Sequence, residues 1–490
     1  MCLRHLTGVR ALRSASHLRL VADPQLVDAA AVTVQSSMPK IRKDRSLDRL
    51  AETGNVAQFV SFSPDGGRTR QEFSRVAGHA PNDPFLSERL ALETLLMRSP
   101  EASINLRSFS PDDPRSREFV YGITNVDDAV SALGRLSRDG LFVIANETVD
   151  VKDGGVSGVA QGGIIEFSPD DTPRCVEKDG VASLPLHLGM SMLETVYGFR
   201  PELGETHGAR LEFSVHPRPR GWRQTHTLLW EHEQIGSEQH RPALTWPNNF
   251  SRHLGDKAYG LLMAYLVGLP TPRTTVIGRR VAPFSFGLAT GSLEVWTRTC
   301  PCEPEPGLYT TVKGWIDPFA LLAAEDKTGA GIRSVLCQAA VPAQYSGAAI
   351  VTGDGSLVVE GREGEGDLFM LGVNAPELLP GAIIEAVRSA HRRLDDALGP
   401  VRFEWVHDGD RVWIVQLHLG ATRSTPKVLV PGDAEDWIRF DAREGLEKLR
   451  GALRTLRPGA GLALVGNVGL TSHIADVVRK AGKPARIVVG

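Results

Sequence analysis

The chain has 490 residues, 42% hydrophobic and 23% charged, with a net charge of -3 and a pI near 6.6. That length exceeds one ordinary core and predicts two or three domains, with the apolar content of a soluble globular chain and not a disordered one. The balanced, evenly spread charge gives no footprint for nucleic acid, and no apolar run approaches the ~20 residues that span a bilayer.

The first 22 residues carry Arg4, Arg10, Arg13 and Arg19 with Ser14 and Ser16, and no acid precedes Asp23. This composition suits a presequence or a basic amphipathic helix; the helix and a cytoplasmic location are the reading taken. Cys2, Cys175, Cys300, Cys302 and Cys337 form an odd set without a second close pair. Neither a disulfide framework nor a zinc site is expected. Residues 36 to 56 are polar and basic, a connection or surface helix.

Phe-Ser-Pro-Asp occurs at 62–65, 109–112 and 167–170, with unequal spacing, and predicts three turns that close strands or loops. A short amphipathic helix is expected over Asp127 to Leu136, and strands over 140–145 and 163–167. Between those strands, Glu147, Asp150 and Asp153 flank a glycine-rich turn. The turn suits a divalent cation or ligand hydroxyl, or is an exposed hairpin with solvated acids. Residues 1–245 read as an unassigned α/β region and the candidate site for an acceptor. Breaks follow near 241–249 and 420–433, where Pro and Gly cluster.

From 250 to 418 the motifs accumulate. Leu254-Gly255-Asp256-Lys257-Ala258 precedes Val267-Gly-Leu-Pro270-Thr-Pro272. Arg298 closes Glu294-Val-Trp-Thr-Arg298, and Gly307 and Thr310 lie in Glu305-Pro-Gly307-Leu-Tyr-Thr310-Thr311-Val. Val335-Leu-Cys-Gln338 runs on to Val341-Pro342 and Ser346-Gly347, then Leu357-Val-Val-Glu360-Gly361. Finally, Val401-Arg-Phe-Glu404-Trp405 and Val-Trp-Ile-Val-Gln416-Leu-His418 flank a hairpin that brings Glu404 and Gln416 together across paired strands. This series resembles the ATP-grasp portion of the phosphoenolpyruvate synthase and pyruvate phosphate dikinase family, which includes rifampin phosphotransferases.

The resemblance implies ATP as phosphoryl donor. Lys257 and Arg298 would neutralise its phosphates, and Gly307 and Thr310 would lie over them. Gln338 would sit by the adenine, with Glu360 and His418 among the nucleotide contacts. Glu404 and Gln416 would hold Mg2+. Read from the residues alone, Lys257 is equally a solvated lysine, and Glu404 a cross-strand partner for Arg402 or Arg411. Two departures stand out: Asp256 replaces the family's second glycine, and His418 replaces its arginine, for which Arg423 is the nearest substitute.

Near the C-terminus, Gly469, Thr471, Ser472, His473, Ala475, Arg479, Gly482, Pro484 and Ala485 match in one register the family's swivelling phosphohistidine domain. By that resemblance His473 carries the phosphoryl group, and Thr471 assists as a hydroxyl donor. A histidine at a helix start meets unpaired N–H groups and the positive dipole end, which favours a phosphoryl group.

The expected architecture is a multidomain α/β protein: residues 1–245, an ATP-grasp core at 246–420 and an abbreviated phosphohistidine-like domain at 434–490. The segment 420–433 is the expected hinge. The expected activity is phosphoryl transfer from ATP through His473 to a small-molecule acceptor. The alternatives are an ATP-grasp carboxylate-amine ligase without a phosphohistidine, and an ATP-sensing protein without turnover. No nucleic-acid or membrane partner is expected, and an oligomer is left open.

Overall fold

A computed structural model describes residues 42–488, apart from 237, 303–307, 372–373, 426 and 467. The basic N-terminal segment and Gly307 therefore lie outside the described residues. Among the described residues, the strands form five sheets, four of them antiparallel throughout and the last mixed.

The first sheet is built from Phe59–Asp65, Arg68–Arg75, Ile104–Ser110, Asp113–Ile123 and Phe142–Glu147. Helices Glu88–Arg98 and Val126–Arg138 bury Leu92, Leu95, Leu133 and Leu136 against its Val60, Leu106 and Val143. The second of these contains the expected 127–136 helix, capped by Asn125, whose side chain accepts from the Asp127 amide at 2.7 Å. The second sheet comprises Val156–Gln161, Ile164–Pro169, Ala182–Pro185, Ala209–Arg220 and Thr225–Gln234.

All three Phe-Ser-Pro-Asp segments end strands. At 62–65 the strand turns through Gly66 and Gly67, whose φ of 56° and 85° are those of a two-residue hairpin. At 109–112 the segment turns between paired Ser110 and Asp113, and at 167–170 it ends Ile164–Pro169.

The acidic turn is not a cation site. Its carboxylates go separate ways, and no group of three His, Cys, Asp or Glu among the described residues is placed to hold a metal. Glu147 is buried and accepts from the Gln58 backbone and side-chain nitrogens, both at 2.8 Å. Asp153 pairs with His216 at 2.8 Å and Arg220 at 3.2 Å, and Asp150 accepts from the Lys152 amide.

The third sheet orders its strands Phe284–Phe286, Thr274–Gly278, Ile332–Ala339, Val295–Pro301 and Thr311–Lys313. The fourth runs Leu357–Glu363, Tyr345–Val351, Val401–His407 and Val412–Leu419. Along Val401–His407 burial alternates strictly. Val401, Phe403 and Trp405 are buried, Val401 and Phe403 beside helix Gly381–Leu398, while Arg402 and Glu404 take the opposite face. Helix Asp256–Leu266 lies against Val412–Leu419 so closely that a Cβ on Gly260 would stand 2.1 Å from the Leu417 carbonyl oxygen. That approach requires glycine.

The fifth sheet is a β-α-β-α-β unit: Asp436–Asp441, helix Leu446–Thr455, Ala460–Val465, helix His473–Ala481 and Ala485–Val488, with parallel strands. Leu449, Leu462, Leu464, Ile474 and Val478 fill its core, each burial contributing about 1.5–3 kcal/mol. Val428–Val430, within the expected hinge, is an antiparallel strand of this same sheet. Upstream, Thr422 donates its amide to the Val351 carbonyl at 2.8 Å, and the buried Ser424 hydroxyl donates to Leu429 at 2.6 Å. The 420–433 segment is thus pinned at both ends in this conformation.

Candidate active site

The cleft lies between the third and fourth sheets. In the fourth, register sets Glu360, Ala348, Glu404 and Gln416 in one row across four strands. The next row is Val358, Ile350, Arg402 and His418. Glu404 and Gln416 are direct cross-strand neighbours through a register shift between Glu404 and Trp405; the regular hairpin register would have set Val415 there.

From the third sheet, Arg298 and Gln338 reach over to the same point. Arg298 Nη1 donates to the Val415 carbonyl at 3.1 Å and Gln338 Nε2 to the same oxygen at 3.4 Å. Arg298 Nε is buried without a partner. Lys257, on the first turn of its helix, puts Nζ 3.5 Å from Thr311 Oγ1. Burial and then the neighbouring Arg298 hold the Lys257 ammonium below its ordinary pKa. A cavity of about 190 Å³ opens here, lined among others by Arg298, Gln338, Val341, Glu404, Trp405 and Val415. At its edge, Lys313 bonds Glu294 at 3.0 Å and Glu365 at 2.7 Å, so an ion-pair bridge links the two sheets.

A smaller space of about 30 Å³ continues from Glu404 and is shared by Gln416, His418, Arg402, Thr471 and Asp476. It brings the C-terminal unit onto the Glu404 rows. Over the first row, the Glu360 carboxylate accepts from the Leu470 amide at 3.0 Å, the Thr471 amide at 2.9 Å and the Thr471 hydroxyl at 2.7 Å. Over the second, Arg402 bonds Asp476 at 2.5 Å, and Arg479 reaches the same carboxylate at 2.6 Å. Burial pushes the Asp476 pKa up, and Arg402 and Arg479 outweigh it, leaving it below the usual carboxylate range.

His473 begins helix His473–Ala481, with Ser472 as N-cap accepting from the Ala475 amide at 3.4 Å. Its Nδ1 is buried and without a hydrogen-bond partner. His473 is not among the residues lining these cavities, so Thr471, and not the histidine, faces the Glu404 space.

Three expected nucleotide contacts are occupied within the protein. Glu360 holds the Leu470–Thr471 segment. Thr310 donates its hydroxyl to Glu325, and its carbonyl accepts the Thr299 amide. His418 Nδ1 lies 2.9 Å from Asp256, and its Nε2 is 2.8 Å from the Gln416 side-chain nitrogen. Nε2 accepts the Gln416 amide, while the Asp256 oxygen beside Nδ1 stands at ion-pair distance without a hydrogen bond. Trp246 donates to the other Asp256 oxygen at 2.7 Å. Burial raises the Asp256 pKa, but His418, Trp246 and Arg402 more than offset it, so it stays ionised. Arg423 is exposed and lines none of these cavities.

Sequence reading missed the Asp256–His418 pair as a unit, although both departures were visible, one at each end of the motif series. It also missed Arg402 and Asp476, which no local pattern marks. The donor set suits Mg2+ in one specific way. Glu404 offers a carboxylate, and Gln416, its amide nitrogen committed to His418, has its oxygen left for a cation. Magnesium is characteristically held by one or two protein oxygens, completed by phosphate and water.

No protein-family model and no curated protein matches the chain. Among solved structures, it is similar to D-alanine-D-alanine ligase from Helicobacter pylori, with 14% identity and a TM-score of 0.23. That match covers 34% of this chain and 51% of the other. Macrocyclase MdnB from Microcystis aeruginosa MRC gives 16% identity and a TM-score of 0.21, covering 34% and 53%. The chain spans about half the length of either structure. Among the described residues, no helix is long and apolar enough to cross a membrane.

Proposed function

We propose that the protein is an ATP-dependent phosphotransferase whose cleft between the third and fourth sheets takes the nucleotide. In this reading Gln338 and Val341 flank the adenine, and Lys257 and Arg298 stabilise charge on the transferring phosphoryl group. Glu404 and the Gln416 oxygen would hold Mg2+, which would supply neutralisation of phosphate charge. His473 receives the phosphoryl group, and a small-molecule acceptor takes it on.

One observation carries the reading: the segment Leu470–Asp476 docks on the sheet face that bears Glu404 and Gln416, in register with their rows. A ligase without a phosphohistidine has no need of that docking. ATP labelled at the β or γ phosphate tests it. Wild type should acquire acid-labile, base-stable label and His473→Ala should not; equal labelling of both, or of neither, defeats it. The position of the label also decides between AMP and ADP as product. The Asp256–His418 pair favours a second reading, nucleotide sensing without turnover, because the residue at the arginine position is committed to a carboxylate. Tight ATP binding with no AMP or ADP formed would establish that reading instead.

A further inference from the structure

The largest of the three cavities, about 380 Å³, is not used by the scheme above. Arg402, His418, Asp476 and Arg479 line both it and the small space shared by Glu404 and Thr471, so it continues the cleft beyond its metal end. Its volume is that of a small-metabolite site.

Its charged lining sets three cations, Arg402, Arg479 and Lys480, against two carboxylates, Asp256 and Asp476. Both carboxylates are already matched inside the protein. Asp476 accepts from Arg402 and Arg479, and Asp256 from Trp246 beside its His418 partner. A guanidinium carries five N–H donors in a fixed fork, and Arg402 gives one of them to Asp476. Arg479 is further held by bonds to the Leu470 carbonyl at 2.8 Å and Ser424 at 3.4 Å. Two immobilised guanidiniums beside a lysine make a preorganised anion wall. The other wall is the Trp246 indole, fixed by its bond to Asp256 and by an edge contact with Tyr259 at 5.0 Å.

We propose that this cavity is the acceptor site and that its ligand is a small organic anion. The carboxylate or phosphate would lie on Arg402, Arg479 and Lys480, and a flat or apolar part on Trp246. The word acceptor rests on the phosphotransfer reading, whereas the anion site rests on the cavity alone. Residues 1–245 then need not supply the acceptor site.

The probes are inorganic phosphate and malonate, titrated calorimetrically into full-length protein saturated with a non-hydrolysable ATP analogue. Wild type should bind at least one of them at a single site. Lys480→Glu reverses one charge on an exposed side chain, and Ala421→Trp fills the cavity from an exposed loop without touching any charge. Each should weaken anion binding tenfold or more and leave affinity for the ATP analogue unchanged. The proposal is overturned if neither anion binds wild type, if both variants bind like wild type, or if the saturating analogue abolishes anion binding. His473 labelling is measured on the same proteins. Loss of labelling with anion binding intact would sink the phosphotransfer reading and leave the anion site standing.

Discussion

Glu360 and Thr471 are 111 residues apart in sequence, yet the Glu360 carboxylate takes both the amide and the hydroxyl of Thr471, at 2.9 and 2.7 Å. The acid that resemblance assigned to the nucleotide caps, in this structure, the segment preceding His473. It occupies backbone N–H groups of the kind that bind phosphate at helix starts. Docking of the C-terminal unit therefore depends on a charge that sits beside the segment leading into His473.

Glu360→Gln keeps the shape but presents an NH2 group to N–H donors. Hydrogen bonds to a charged partner contribute about 1.5–3 kcal/mol. Exchange of the Leu470 and Thr471 amides should accelerate by roughly 10- to 100-fold on that basis, while amides within Val401–His407 stay protected. Unchanged exchange at Thr471 would mean that the contact does not hold the docked state.

Asp256 and His418, the two positions at which the chain differs from the motifs it resembles, pair with each other at 2.9 Å. If the pair replaces a glycine and a phosphate-binding arginine, the double variant Asp256→Gly with His418→Arg should bind ATP about tenfold tighter, roughly 1.4 kcal/mol. His418→Arg alone should gain less, because Asp256 would hold the guanidinium. Equal gains in the single and double variants would show that Asp256 does not restrain the site.

Lys313 bridges Glu294 and Glu365 across the edge of the 190 Å³ cavity. Exposed ion pairs contribute little to stability, so Lys313→Met should leave Tm within error. Nucleotide association and dissociation should both quicken severalfold, measured by stopped-flow with a fluorescent ATP analogue. Rates equal to wild type would remove any gating role.

Glu147 gives a pH signature unrelated to catalysis. Burial pushes its carboxyl up to about 7, against bonds from Gln58 and the charge of Arg220 that pull it down. Its folded pKa exceeds its unfolded value. The stability it contributes is complete below the unfolded carboxyl range near pH 4 and is lost as pH rises through about 7. On that sign, the free energy of unfolding should fall by an amount on the order of 3 kcal/mol between pH 5 and 8. Glu147→Gln should flatten this slope in urea titrations. A wild-type slope unaltered by the substitution would place the titrating group elsewhere.

Much of the local structure was legible in the sequence because it is set by short-range chemistry. Pro and Asp end the strands at 62–65, 109–112 and 167–170. Asn125 caps its helix, and the His-Asp-Gly-Asp hairpin pairs the two strands that carry Glu404 and Gln416, although a bulge beside Trp405 sets their exact register. The alternating burial of Val401–His407 likewise follows from a period of two. What a side chain does with its charge was decided by distant partners. Glu147 and Asp153, close neighbours in sequence, look like one acidic turn. Gln58 draws the first into the core, while His216 and Arg220 pair the second. Glu360 faces Thr471 rather than standing open to the cleft, because the fifth sheet packs over the fourth. Asp256 meets His418 only because Gly260 lets its helix approach the Leu417 carbonyl. Sequence set the backbone periods and turns, which depend on a few neighbouring residues. Tertiary packing chose the ion partners, because Coulomb energy depends on spatial separation and burial and not on distance along the chain.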